Sequence, residues 1–191
     1  MKIGGEEKYE WGKSGRVYME TPRLLIRDWK REDLFSFTEM NADPDVMEYF
    51  LATLSPEESR DMLGRITNEM EETGFGLYAV EEKESGDFIG FTGFHHVSFD
   101  IPFVSPVEIG WRIRAAYWNK GYATEAAMAC LNYAKQKLPF KEVCSFTALL
   151  NKRSERVMQK IGMRKAGEFD HPAIESAHPL QRHVLYKLEW S

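Results

Sequence analysis

The residues with the clearest chemical potential are consecutive. They run Val107-Glu-Ile-Gly-Trp-Arg-Ile-Arg114, then Ala115-Ala116-Tyr117-Trp118-Asn119-Lys120-Gly121-Tyr122-Ala123-Thr124-Glu125-Ala126. The largely apolar stretch 107–114 predicts a strand buried on both faces. Residues 121–137 predict a helix, whose Ala123, Ala126, Ala127, Cys130, Leu131 and Ala134 form a small-residue stripe suited to close packing on a sheet. The short loop between them would present free backbone N–H groups at a helix N-terminus, where dipole and hydrogen bonding both favour an anion. Gly121 and Ala123 leave little side-chain bulk at that approach. The loop is neither GxxxxGK[ST] nor GxGxxG, so the common phosphate and dinucleotide fingerprints do not apply. An ordinary strand-to-helix turn has the same outline, so the loop alone does not decide.

Other reactive residue types lack a site-forming pattern. His95 and His96 are adjacent on a predicted strand, so at most one of them faces a given site. His171, His178 and His183 follow later, with no HExxH or Cys/His ligand spacing, and no metal is expected. Cys130 and Cys144 are the only cysteines, without a CxxC. They read as two free thiols in a reducing, cytoplasmic setting, packed as small hydrophobes.

The elements that must position this segment follow from periodicity. A first strand begins after Thr21-Pro22-Arg23, and residues 31–40 read as a helix broken by Asn41-Ala42-Asp43-Pro44-Asp45. Ser55 is a good N-cap, with Pro56 first in the helix and Glu57 and Glu58 at its positive end. Met62, Leu63, Ile66 and Met70 continue that helix to Gly74. Residues 75–81 and 88–97 read as strands joined at Glu84-Ser85-Gly86-Asp87, and 98–106 as a loop. Beyond residue 137 come a strand at 142–148, a helix at 152–161, a strand at 163–169 and a last strand at 182–188. The order β-α-α-β-β-β-α-β-α-β-β is mixed α/β (α+β), with helices against a curved, largely antiparallel sheet. Residues 1–20, with four glycines, read as a flexible or loosely docked arm, and 21–191 as one domain.

Composition excludes several classes. At 191 residues, 43% hydrophobic and 29% charged, the chain suits a single soluble domain rather than a disordered one. No window nears the roughly 18 apolar residues that span a membrane, and residues 1–7 lack a secretory h-region. Charge is divided: residues 1–110 hold 11 Lys/Arg and 23 Asp/Glu, a balance of −12, and residues 111–191 hold 14 and 7, a balance of +7. An anion at one end and a cation at the other would suit such a chain. The acidic total argues against direct nucleic-acid binding.

The segment Trp118-Asn119-Lys120-Gly121-Tyr122-Ala123 resembles the acetyl-CoA motif of the GNAT N-acetyltransferase superfamily, Gln/Arg-x-x-Gly-x-Gly/Ala between a strand and a helix. Trp118 in place of Gln/Arg is similar to the RimJ/RimL-like branch, from which Asn119 departs where a glycine is usual. Asn151-Lys-Arg-Ser154 with Lys160-Ile-Gly-Met163, and the opening Glu20-Thr-Pro-Arg-Leu-Leu-Ile-Arg27, resemble two more segments of that branch. The three occur in the expected order over residues 20–188.

The resemblance implies a GNAT-like sheet with a splayed central strand pair and acetyl-CoA as co-substrate. Ile113 and Arg114 would offer backbone groups to pantetheine. The loop from Trp118 and Asn119 through Lys120, Gly121, Tyr122, Ala123 and Thr124 would take the pyrophosphate, with Asn151 and Arg156 nearby on the basic helix. Acetyl transfer needs a neutral amine, hence a base or a water relay. Glu108 is the base candidate, as an acid inside an apolar strand, though it could equally be held by Arg112, His95 or His96. Ser154 is the acid candidate, since the tyrosine many members carry on this helix is absent from 151–161. Glu168, Asp170 and Glu175 are reserve base candidates. The acceptor would be a protein N-terminal α-amine, a polyamine or another small amine, drawn to the acidic helix carrying Glu57, Glu58 and Asp61. A non-catalytic acyl-CoA sensor or a protein-interaction domain on the same fold is the alternative. A homodimer is among the assemblies the sequence allows.

Overall fold

The computed structural model describes residues 15–99 and 107–191. Most of the arm and most of the loop expected at 98–106 lie outside that range. The strands are β1 (Val17–Glu20), β2 (Leu24–Arg27), β3 (Leu77–Glu82), β4 (Phe88–His96), β5 (Val107–Ile113), β6 (Glu142–Ala148), β7 (Arg164–Asp170) and β8 (Arg182–Glu189). The helices are α1 (Asp33–Ala42), α2 (Pro56–Thr73), α3 (Tyr122–Lys137) and α4 (Lys152–Lys160). They form a mixed α/β fold around one sheet in the order β1-β2-β3-β4-β5-β6-β8-β7.

β1 takes up the last residues of the expected arm. Val17–Glu20 pairs antiparallel with β2, with a bulge between Val17 and Met19. Of its four residues only Met19 is buried, so a broken alternation on a short edge strand hid it. α1 starts later than periodicity suggests because the Asp33 carboxylate anchors its first turn. Asp33 accepts from Lys30 N at 2.7 Å and takes a two-pronged bond from buried Arg27 at 2.8 and 2.9 Å. α2 begins as expected: Ser55 and Glu58 form a reciprocal capping box, and Gly74 ends the helix in a left-handed conformation.

Strand alternation divides the apolar residues into two layers. On one face Ala126, Ala127, Cys130, Leu131 and Ala134 of α3 pack against Ile109, Val143 and Val184. On the other, Trp29, Phe37, Met40, Leu63 and Ile66 close over Ala79, Phe88 and Phe91. Both cysteines are free and buried, and burial pushes each thiol up to about 12, so they pack rather than react. Among the described residues no helix is long and apolar enough to cross a membrane.

The centre of the sheet is its least paired seam. β4 and β5 stay in register from Gly90↔Ile113 to His96↔Val107. β6 and β8 do the same from Glu142↔Glu189 to Ala148↔His183. Among the described residues the parallel neighbours β5 and β6 meet only at Glu108↔Cys144, and beyond that point β5 has no strand partner on this side.

The capping box sets the start of the acidic helix. Ser55→Ala should lower unfolding free energy by about 1 kcal/mol, measured by urea denaturation, whereas exposed Glu57→Ala should stay within about 0.5 kcal/mol.

Candidate active site

β5 defines two edges. Arg114 N donates to Ile89 O of β4 at 2.9 Å, so the alternation turns the N–H groups of Trp111 and Ile113 towards the unpaired part of the seam. Arg114 O accepts from Tyr117 N at 2.9 Å. Both backbone groups of Arg114 therefore have partners within the chain. Ile113 stays on the seam, its carbonyl already held by Trp118 Nε1 at 2.7 Å.

The loop after β5 is an amide cradle. Trp118 N donates to Ala115 O, and the first helical bond of α3 is Glu125 N to Gly121 O. Between them, the N–H groups of Asn119, Lys120, Gly121, Tyr122, Ala123 and Thr124 have no backbone acceptor among the described residues. Gly121 caps the helix at φ 83° and Asn119 sits at φ 62°. Both are left-handed, a region that glycine enters freely and asparagine tolerates. Asn119 thus keeps the torsion that a glycine would supply. The amide and the indole of Trp118 are both engaged in bracing the loop.

A brace that the sequence reading missed holds this cradle from outside. Arg23 Nε donates to Glu125 Oε2 at 2.7 Å, and Arg23 Nη1 to Lys120 O at 3.0 Å. Thr21 Oγ1 donates to Glu125 Oε1 at 2.6 Å. The Arg23 guanidinium covers the Tyr122 ring at 4.4 Å, and the Tyr122 hydroxyl donates to Glu82. Burial raises the Glu125 proton affinity, but the bonds from Thr21 and Arg23 outweigh it and hold the carboxyl below its usual value. The available signal was an acid in the first turn of α3 and the Thr-x-Arg before β2.

Across the seam, Asn151 caps α4: its Oδ1 accepts from Ser154 N at 3.1 Å, and its Nδ2 donates to Thr147 Oγ1 at 3.0 Å. Both polar atoms of its side chain thus brace the start of α4. Ser154 is half-buried on the first turn of α4, and Arg156 is exposed. Arg153 reaches from α4 to the Trp118 ring at 4.2 Å and to Glu48 at 2.5 Å. It links the loop between α1 and α2 to the cradle, a role the sequence reading missed.

Glu108 stands where β5 and β6 part. It is 8% exposed, and its Oε2 lies 3.1 Å from His95 Nε2. Of the three candidate partners, His95 is the one it meets. His95 Nδ1 lies 3.2 Å from His96 O. Burial disfavours the imidazolium, but the Glu108 hydrogen bond and charge outweigh this and raise the His95 pKa. His171 and His183 stack with Phe99, Phe146 and Phe169. Burial lowers the pKa of both. No group that could hold a metal occurs among the described residues. Glu168 and Asp170 are tied up with Arg182, and Glu168 also with Lys165.

The description "Acetyltransferase (GNAT) domain" matches residues 23–164, most of the chain. The chain belongs to the GNAT acetyltransferase family. The acetyltransferase is 32% identical to the uncharacterized protein YkkB of Bacillus subtilis over 78% of this chain and 87% of that one. It is 31% identical to the uncharacterized N-acetyltransferase YnaD of the same organism over 80% and 86%. It is also similar to the crystal structure of a GNAT-family acetyltransferase from Bacillus anthracis, with TM-score 0.74 and 28% identity over 90% and 97% of the two chains. This GNAT protein is therefore an acetyl-CoA-dependent N-acetyltransferase, and the unpaired seam with its amide cradle fits that co-substrate.

In this acetyltransferase, Gly121→Val forces a β-branched residue to φ 83° and adds bulk near Arg23 Nη2, which an added Cβ would meet at 3.6 Å. CoA affinity by calorimetry should fall at least about tenfold, while Asn119→Gly should leave it nearly unchanged. Glu125→Gln should lower both CoA affinity and melting temperature at pH 7. The carboxyl is held below its ordinary value of 4.5, so its contribution is complete above that value and lost as pH falls below it. The melting-temperature gap between wild type and Glu125→Gln should therefore narrow on acidification.

Proposed function

We propose that the enzyme transfers acetyl from acetyl-CoA directly to a primary amine within a ternary complex, with Glu108 as the base. The observation that carries this is the buried carboxylate at the point where β5 and β6 part, hydrogen-bonded to His95 at 3.1 Å. Thioester and amine would meet there. The amine nitrogen attacks the thioester carbonyl, its proton passes to Glu108 directly or through one water, and the C–S bond breaks. Seam-facing N–H groups of β5 steady the carbonyl oxygen. Ser154, on the first turn of α4, returns a proton to the leaving thiolate. The pyrophosphate rests on the amides from Asn119 to Thr124, with Lys120 and Arg156 as outlying cations.

His95 sets when Glu108 is available. While protonated it pins the carboxylate in an ion pair; once neutral it leaves the carboxylate free to accept a proton. The motif order and Trp118 support a RimJ/RimL-like acceptor, a peptide α-amine or a small amine, reached past α2. Of the three acids at the start of that helix Glu58 serves the capping box, which leaves Glu57 and Asp61 there to attract a cation.

Glu108→Gln should lower kcat about 10²–10⁴-fold with little change in acetyl-CoA Kd; near wild-type turnover would place the base elsewhere. With an acceptor of low amine pKa, wild-type kcat should rise through a pH above the ordinary histidine value of about 6.5. In His95→Asn that rise should vanish.

A further inference from the structure

Two-residue alternation puts Glu108, Gly110 and Arg112 on one face of β5, the face that Phe91 shares and that α1 and α2 cover. Gly110 leaves a bare strip between the two charged residues: among the described residues a Cβ there would meet only His95 Nε2, at 3.9 Å. Arg112 is the anomaly on this face. Its Nη1 donates to Asn41 Oδ1 at 2.6 Å, and its guanidinium lies 4.4 Å from the Phe50 ring and 5.3 Å from the Phe91 ring. Its Nε is buried with no hydrogen-bond partner. Among the described residues no carboxylate lies within ion-pair distance of it. Arg27, which is buried, by contrast has both Asp33 and Glu81. With nothing opposing desolvation, burial pulls the Arg112 pKa down to about 10.

A half-buried guanidinium without a counter-ion is costly, and its buried, orphaned Nε adds to that cost. Both are relieved by a carboxylate, which matches a guanidinium with charge-assisted and often paired hydrogen bonds. The cover over Arg112 is thin on one side, since Phe50 is 47% exposed and belongs to the segment between α1 and α2.

We propose that Arg112 anchors the acceptor, and that the acceptor is an amine that also carries a carboxylate. The carboxylate pairs with Arg112, the chain lies across Gly110, and the amine reaches Glu108 and His95. This deepens the amine-acceptor reading above and rests on it. Four strand residues span about 13 Å, shortened by the reach of two side chains. That separation favours an amine several bonds from its carboxylate over an α-amino acid.

The test is a steady-state series in which each acid is compared with its own primary amide: glycine, 4-aminobutyrate and 6-aminohexanoate, with acetyl-CoA and thiol detection. The proposal expects kcat/KM for the acid to exceed that for its amide by about 10- to 100-fold in the longer members, the scale of a hydrogen bond to a charged group. Arg112→Gln should bring that ratio close to one, and Arg112→Lys should restore part of it. The ratio is internal to each protein, so partial unfolding of a variant does not imitate the effect. Equal rates for acid and amide in the wild type, or a ratio that survives Arg112→Gln, would overturn the proposal. If no amine of either series is acetylated while acetyl-CoA binds, the amine-acceptor reading fails and this inference falls with it.

Discussion

The rest of the structure depends on two parallel strands that meet and then part. Among the described residues β5 and β6 share one register pair, Glu108↔Cys144, and beyond it the inward-facing N–H groups of β5 lack a strand to bind. Unmade backbone hydrogen bonds in a sheet interior are costly unless something else supplies an acceptor. Trp118 relieves one of them, holding Ile113 O where a neighbouring strand would have donated. A ligand with amide groups can take over the remainder as an added strand. The seam is thus a binding edge kept open by the fold.

The cradle at the end of β5 is stiffened rather than left to the loop. Arg23, Thr21 and Glu125 join the β1–β2 turn to the start of α3. Arg153 joins α4 and the loop after α1 to Trp118. These contacts fix the directions of the amides before any phosphate arrives, which removes an ordering cost from binding. The −12 and +7 division of charge follows the same geography: the cradle and α4 belong to the basic half, and α1 and α2 to the acidic half.

Most of the element order and the position of the cradle could be read from residue patterns. A near-continuous apolar run, a glycine at the turn and a small-residue helix face each have a local physical cause. What escaped was tertiary. β1 escaped because a bulge broke its alternation. Trp118 and Asn151 sit in the right motif, yet their polar groups are consumed by Ile113 O and by the cap of α4. Arg114 was assigned to the seam although strand parity turns its N–H to β4. Arg112 looks like any charged residue in a strand, and its lack of a counter-ion becomes visible only once α1 and α2 are folded over it. The Glu108–His95 pair was one of three partnerships the sequence allowed, and cross-strand register selected it.

The central claim is that the open edge of β5 and the amides from Asn119 to Thr124 hold acetyl-CoA. Amide hydrogen exchange with and without CoA tests it residue by residue. The account predicts that saturating CoA slows exchange at Trp111, Ile113 and residues 119–124, while Arg114, already bonded to Ile89 O, is unchanged. Protection that spares this edge and loop and appears elsewhere would contradict it.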